Sequence, residues 1–207
     1  YGGDTTTRVM QEILLGVGGV RLLRELGLQP STFHMNEGHA AFLTLELARE
    51  KMAEGKPFVQ AWAETKQQCL FTTHTPVEAG HDRFSSDLMS FAANKFGANL
   101  KLSHSELMGL GRVNPGDIQE PFCMTVLALK GSRAANGVSE LHGAVSREMW
   151  QCLYPGKTVE QVPIGHVTNG IHVAGWMKGT VRRFWRNKLS VAHANPDTST
   201  TETTRFW

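Results

Sequence analysis

Long apolar segments of helical period alternate in this chain with short apolar runs that end in polar residues. Over residues 8–26 the apolar positions follow a helical period but cover most of the circumference, which predicts a helix buried on more than one side. Gly16, Gly18 and Gly19 lie inside this helix, where each costs about 1 kcal/mol relative to alanine. We therefore expect another element to approach its backbone closely. Gly27 is placed to end it.

Four short apolar runs predict buried strands, and a polar cluster follows each of them. The predicted strands are 31–36, 69–73, 124–129 and 162–168, and the polar clusters are 36–39, 74–82, 131–137 and 168–172. Amphipathic helical patterns between the strands favour a parallel sheet covered by helices, an α/β fold of the Rossmann-like, doubly wound kind. Ligands bind at the carboxyl ends of the strands in such folds, so we expect the polar clusters to meet there.

Composition removes several classes of protein. Of the 207 residues, 41% are hydrophobic and 19% are charged, as in a globular protein with a core of its own. The formal net charge of +2 is too small for nonspecific nucleic-acid binding. No apolar run approaches the roughly 18 residues of a membrane span, so we expect no membrane insertion.

The ends and the cysteines give two weaker expectations. Three widely separated cysteines suggest neither a disulfide framework nor a zinc site, and a reducing cytoplasm is the expected compartment. The chain opens on Tyr1 instead of methionine, so we expect a fragment of a longer protein. Residues 190–207 are rich in serine and threonine, which predicts a poorly ordered or truncated tail.

The residues alone leave several kinds of chemistry open. His34, Glu37 and His39 are close in sequence, but their spacing does not place two histidines one helical turn apart, so we expect no metal site. Glu37 with Glu78 or Asp82 could form the carboxylate pair of a glycosidase, although no spacing demands it. Polar loops without an obvious nucleophile suit hydrogen bonding to a hydroxyl-rich ligand.

Five strings together carry a specific family resemblance. They are QEILLGVGGVR at 11–21, HMNEGHAAF at 34–42, TTHTPV at 72–77, GSRAANGV at 131–138 and TNGI at 168–171. In this order they resemble the α-glucan phosphorylases of glycogen, starch or maltodextrin, in particular the shorter bacterial branch. The resemblance extends from residue 1 to about residue 177.

This resemblance implies a fold and a reaction. The expected fold is a two-domain glycosyltransferase of the GT-B type. Residues 1–165 would be the latter part of its first domain, and 166–189 the interdomain segment and the start of the second. The expected reaction transfers a terminal α-1,4-linked glucosyl unit to inorganic phosphate and gives glucose 1-phosphate. Pyridoxal phosphate would be the cofactor, with its phosphate group handling the proton, and the full-length protein could be a homodimer.

Roles follow by resemblance for six residues. His74, through its backbone carbonyl, and the neighbouring Thr75 would hold the transferred glucosyl unit, and Asn169 would hydrogen-bond the same sugar. Glu37 and His39 match an acidic residue and a histidine just beyond the scissile bond, and family members can have aspartate in place of Glu37. Trp176 matches an aromatic residue near the cofactor.

The chain lacks other parts of that machinery. No motif is found for the cofactor lysine or for the residues that bind substrate phosphate, so we expect this chain alone to be inactive. Two other hypotheses stay open. One is a nucleotide-sugar-dependent glucan synthase of similar architecture, and the other is a noncatalytic glucan-binding module.

Overall fold

A computed structural model describes residues 3–193, except for the side chains of residues 94–96, 174 and 190–193. The chain divides into two compact units between Thr168 and Asn169. The predicted tail at 190–207 therefore lies almost wholly outside the described residues, apart from 190–193, which continue a helix.

A parallel sheet forms the centre of the first unit. Its strands are β1 (Phe33–Asn36), β2 (Cys69–Thr73), β5 (Ala134–Gly137) and β6 (Ile164–His166), in the order β1-β2-β5-β6. A separate antiparallel pair joins β3 (Arg83–Phe84) to β4 (Phe122–Cys123). The α/β class predicted from the sequence is confirmed.

Two helices precede the first strand, and six more lie between or after the strands of this unit. They are α1 (Thr5–Ile13), α2 (Gly19–Glu25), α3 (Leu43–Ala53), α4 (Phe58–Gln68), α5 (Ser86–Asn99), α6 (His104–Leu110), α7 (Met124–Lys130) and α8 (Glu140–Trp150). The second unit contains α9 (Val173–Trp176) and α10 (Gly179–His193). None of the helices in the described part of the chain has the length and apolar character needed to cross a bilayer.

The glycine-rich helix is helical throughout, as predicted, but it changes pitch. A π-helical turn at Leu14–Gly18 joins α1 to α2. The expected close approach occurs at Gly16, where an added Cβ would lie 2.7 Å from the backbone nitrogen of Leu43. At Gly19 an added Cβ would meet nothing within 4 Å, so the close contact explains only part of the glycine cluster.

One predicted strand is wrong. Residues 124–129 form most of α7, and every residue from Met124 to Leu129 is buried. A short run that is apolar on all sides fits a buried helix as well as a buried strand, so its period cannot separate the two. The length of the run does not distinguish a helix from a strand either, because α7 has only seven residues, a length that is also typical of a strand.

This error also displaced a polar cluster. Residues 131–137 were predicted to follow a strand, but Ala134–Gly137 are themselves the strand β5, which pairs with both β2 and β6. Gly131–Arg133 consequently lie at the amino end of that strand and not at the carboxyl end. The clusters at 36–39 and 74–82 do follow the carboxyl ends of β1 and β2, as predicted.

Candidate functional site

The candidate site begins where β1 and β2 end side by side. Asn36 is paired with Thr72 in the parallel register, so Glu37 and His74 each leave the same edge of the sheet. The Glu37 N–H donates to the Thr72 carbonyl oxygen at 2.8 Å. Glu37 then takes a φ of +74°, a left-handed conformation that is uncommon for a residue with a side chain. This turn directs the chain into the short helical segment Gly38–Ala40.

The Glu37 carboxylate ties the two strand ends together. It accepts hydrogen bonds from the His74 N–H at 2.7 Å, the Thr75 hydroxyl at 3.0 Å and the Thr73 hydroxyl at 3.4 Å. It also accepts one from the Gly38 N–H at 3.1 Å, which caps the helical segment. Hydrogen bonds to an ionised acceptor are stronger than neutral ones, so this carboxylate fixes the backbone direction of the loop after β2.

His74 is exposed, and its polar groups face different partners. Its Nε2 hydrogen-bonds to the Asn36 Oδ1, and because an amide oxygen only accepts, Nε2 carries the proton in this tautomer. Its N–H is taken by Glu37. No described residue donates a hydrogen bond to the His74 carbonyl oxygen. That oxygen is therefore available to a ligand hydroxyl.

A second row of polar groups crosses the sheet beside this site. The Thr72 hydroxyl donates to the Asn136 Oδ1 at 2.9 Å, and the His34 Nε2 lies 2.7 Å from the same hydroxyl. Since the single hydroxyl proton goes to Asn136, His34 Nε2 must donate. The roles predicted from the sequence did not include this row. The signal was present in β1, where His34 and Asn36 occupy alternate positions and therefore lie on one face of the sheet.

A charged cluster lies against the His39 side of the site. The Arg8 guanidinium binds Asp82 through Nη2 at 2.7 Å and Glu12 through Nε at 2.9 Å. This cluster affects the pKa of the half-buried His39. Burial and the positive charge of Arg8 lower its pKa, whereas Glu37 and Asp82 act in the opposite direction. His39 is therefore a neutral imidazole near pH 7.

His81 holds the far end of the loop that follows β2. Its side chain is buried, with Nδ1 2.9 Å from the Thr125 hydroxyl and Nε2 3.3 Å from the Met149 sulfur. The Trp150 ring meets the imidazole edge to face at 5.0 Å. Burial lowers the pKa of His81, so the neutral form is the one that fits. The loop is thus anchored at Glu37 and again at His81.

Two of the predicted site residues belong to the second unit. Asn169 follows the division between the units and is exposed, and the Trp176 indole at the end of α9 is 84% exposed. The structure brings together the other four predicted residues, Glu37, His39, His74 and Thr75, at one edge of the sheet.

The two carboxylates considered as glycosidase partners of Glu37 are each bound to an arginine. Glu78 binds Arg83 at 3.0 Å with a largely exposed side chain, and Asp82 binds Arg8. Neither hydrogen-bonds to a partner of Glu37. Among residues 3–193, no three His, Cys, Asp or Glu side chains converge as a metal site would require.

Together these features define a class of protein. It is an α/β protein in which a half-buried anchor carboxylate and strand-end backbone groups meet at the carboxyl edge of a parallel sheet, the edge at which such folds bind ligands. No protein-family model matches the chain. Individual relatives do match it.

The chain is similar over most of its length to several curated glucan phosphorylases. It is 39% identical over 183 residues to the maltodextrin phosphorylase of Thermococcus litoralis, and 41% identical over 188 residues to the glycogen phosphorylase of Mycobacterium tuberculosis. These alignments cover 88% and 85% of the chain. The glycogen phosphorylase of Aquifex aeolicus is 32% identical over 193 residues, or 91% of the chain.

The chain spans about a fifth to a quarter of these relatives, 21% of the first two and 27% of the third. Over that segment it is a relative of the α-glucan phosphorylases, as its motifs predicted.

Proposed function

We propose that this chain is the glucosyl-binding segment of an α-glucan phosphorylase. The complete protein would transfer a terminal α-1,4-linked glucosyl unit from a glucan to inorganic phosphate and release glucose 1-phosphate. The observation that carries the proposal is the Glu37 carboxylate, which binds the His74 N–H and the Thr75 hydroxyl, while none of residues 3–193 donates to the His74 carbonyl oxygen. Resemblance assigns the same carbonyl to the sugar.

Each residue then has a role in binding. The His74 carbonyl would accept a hydrogen bond from a glucosyl hydroxyl, with Thr75 lining the same surface. Glu37 would hold both of them in place while it and His39 face the sugar beyond the scissile bond. A neutral His39 can both donate and accept hydrogen bonds, which suits a hydroxyl group. Asn169 would bind the same glucosyl unit.

The proposal includes a cofactor and a second domain. The chain offers one of the expected cofactor contacts, the exposed indole of Trp176, which is available to pack beside a planar ring. Bound pyridoxal phosphate would supply a phosphate group for proton exchange with inorganic phosphate. Its lysine and the phosphate-binding residues would come from the second domain of a GT-B fold, and the full-length protein would be a homodimer.

The test uses the complete reading frame that contains these residues. Phosphorolysis of maltoheptaose is followed as glucose 1-phosphate release, with and without pyridoxal phosphate, for the wild type and for Glu37→Gln. We expect cofactor-dependent release, and a kcat/KM about 100-fold lower in Glu37→Gln because the strand-end loop loses its anchor. The matched control is Glu78→Gln, an exposed glutamate paired only with Arg83, which should stay within about twofold of the wild type.

Three results would contradict the proposal. Absence of release with maltoheptaose binding intact would favour a glucan-binding module. Elongation of maltoheptaose by a nucleotide sugar, with release of the nucleoside diphosphate, would favour a synthase. Equal kcat/KM for Glu37→Gln and Glu78→Gln would remove Glu37 from the site. The 207-residue chain alone should release no glucose 1-phosphate.

A further inference from the structure

A separate cavity lies at the opposite end of the sheet from the candidate site. It encloses about 190 Å³ at the amino end of β5 and is lined by Lys66 of α4, Lys130 at the end of α7, and Ser132 and Arg133 in the turn before the strand. No Asp or Glu lines it, and the remaining wall is mainly apolar. Since one water occupies about 30 Å³ in the liquid, the cavity has room for a multi-atom ion.

Two of the cations around this cavity have no carboxylate partner among the described residues. Within residues 3–193, neither Lys66 nor Arg133 takes part in an ion pair. The Lys130 ammonium donates to the carbonyl oxygens of Gly109 at 2.9 Å and Arg112 at 2.6 Å, and Glu120 is the acidic residue that acts on its charge. Three cations line this cavity and no carboxylate does, which favours an anionic occupant.

Ser132 gives an independent indication of a ligand. Its side chain is 5% exposed, and its Oγ has no hydrogen-bond partner among the described residues. A buried hydroxyl without a partner costs free energy, and such groups in native proteins are almost always satisfied by water, an ion or a ligand. A serine hydroxyl can donate to an oxyanion, and this one is in the wall of the cationic cavity.

We propose that this cavity binds a phosphate group, either as the free ion or as the terminal group of a small phosphate ester. Lys66 and Arg133 supply the charge, Arg133 with the planar fork that matches an oxyanion, and the Ser132 hydroxyl donates a hydrogen bond from the cavity wall. The site is distinct from the Glu37 and His74 site at the carboxyl ends of the strands.

The test is a local protection experiment on the complete reading frame. Arg133 is exposed at the cavity mouth, so its modification by phenylglyoxal is measured by peptide mass spectrometry while inorganic phosphate, glucose 1-phosphate or chloride is titrated. We expect phosphate to slow modification of Arg133, and chloride at equal ionic strength to leave it unchanged. Protection by inorganic phosphate alone assigns the site to the free ion, whereas protection by both phosphate compounds assigns it to the phosphate group in general.

Variants link that protection to the cavity. Lys66→Gln should raise the phosphate concentration for half-protection about tenfold, the usual effect of losing one charge-assisted hydrogen bond. Ser132→Ala removes one neutral donor without a folding cost and should raise it by a smaller factor. The control is Lys157→Gln, which removes an exposed lysine outside the cavity and should leave the half-protection concentration unchanged.

Two results would overturn the site. One is equal protection by chloride and phosphate, which would indicate screening only. The other is a half-protection concentration in Lys66→Gln and Ser132→Ala equal to that in Lys157→Gln. Neither result depends on phosphorolysis, so the phosphate site and the proposed reaction are tested separately.

Discussion

Glu12 and Glu46 are both buried completely, yet their pKa values move in opposite directions. Burial alone raises the pKa of either carboxyl. At Glu46, hydrogen bonds from Arg49 and Arg21 outweigh burial and lower the pKa. At Glu12, burial and the negative charge of Asp82 raise the pKa to about 8.

The difference lies in how many guanidinium groups serve each carboxylate. Both oxygens of Glu46 are bound by Arg21 and by Arg49, at 2.8 to 3.2 Å. Glu12 has one contact with Arg8, which also binds Asp82, and its Oε2 has no partner within the described part of the chain. The donors that a buried carboxylate receives, more than its depth, therefore decide whether it stays ionised in this fold.

The largest effect at a single fixed pH is expected when Glu46 loses its donors. The double variant Arg21→Met and Arg49→Met should lower the free energy of unfolding at pH 7 by about 3 kcal/mol, because it leaves a buried carboxylate unpaired. Urea denaturation of the purified protein measures this loss. Arg24→Met is the control, since its partner Glu50 is partly exposed, and it should cost less than about 1 kcal/mol. Equal losses in both variants would contradict the role assigned to Glu46.

The second expectation concerns the pH dependence of stability. The folded pKa of Glu12 is about 8 against an ordinary 4.5, so its protonated form favours the folded state. That contribution is present below pH 4.5 and is lost as the pH rises towards 8, at up to about 1.4 kcal/mol per pH unit. Glu12→Gln should remove this slope from the free energy of unfolding measured across the window.

Glu46→Gln supplies the opposite case. The pKa of Glu46 is lowered in the folded state, so its contribution is present above the ordinary pKa and is lost as the pH falls through the folded value. Glu46→Gln should therefore weaken the dependence of the free energy of unfolding on pH at acid pH. Between pH 5 and pH 8 it should leave that dependence unchanged. A variant pair with the same pH profile would refute the contrast between the two carboxyls.

The smallest effect is expected from Asp82→Asn. This variant removes the negative charge beside Glu12 and the anionic competitor for Arg8, so the pKa of Glu12 should fall towards its ordinary range. The free energy of unfolding should then fall over a narrower pH interval than in the wild type. At pH 5 the free energy of unfolding should change by less than about 1 kcal/mol. An unchanged interval in the same denaturation series would show that burial alone sets the pKa of Glu12.

Periodicity and turn residues predicted much of the fold. The strand at 69–73 has the predicted bounds, and Gly27 takes the left-handed φ of +71° expected of a helix stop. The run at 124–129 failed because it is buried on every side, so nothing in its pattern indicated a helix. Because of that error, the residues of β5 were predicted to belong to a loop.

The site was only partly accessible from the sequence. Motif resemblance selected Glu37, His39, His74 and Thr75, and strand ends explained why they could meet. The contact between the Glu37 carboxylate and the His74 N–H depends on the register of β1 against β2 and on the left-handed φ of Glu37. The partnership of Arg8 with Asp82 joins residues 74 positions apart, a distance over which local patterns carry no information.

The packing at Gly16 has a consequence for how sequences of this protein can diverge. A methyl group at that position would collide with the backbone of Leu43, which cannot rotate away as a side chain could. Three residues further on, Gly19 has open space around it and a helical conformation, so alanine there should be accepted or even selected. In a library that contains every amino acid at each of the two positions, only glycine should be accepted at position 16. Position 19 should accept many different amino acids.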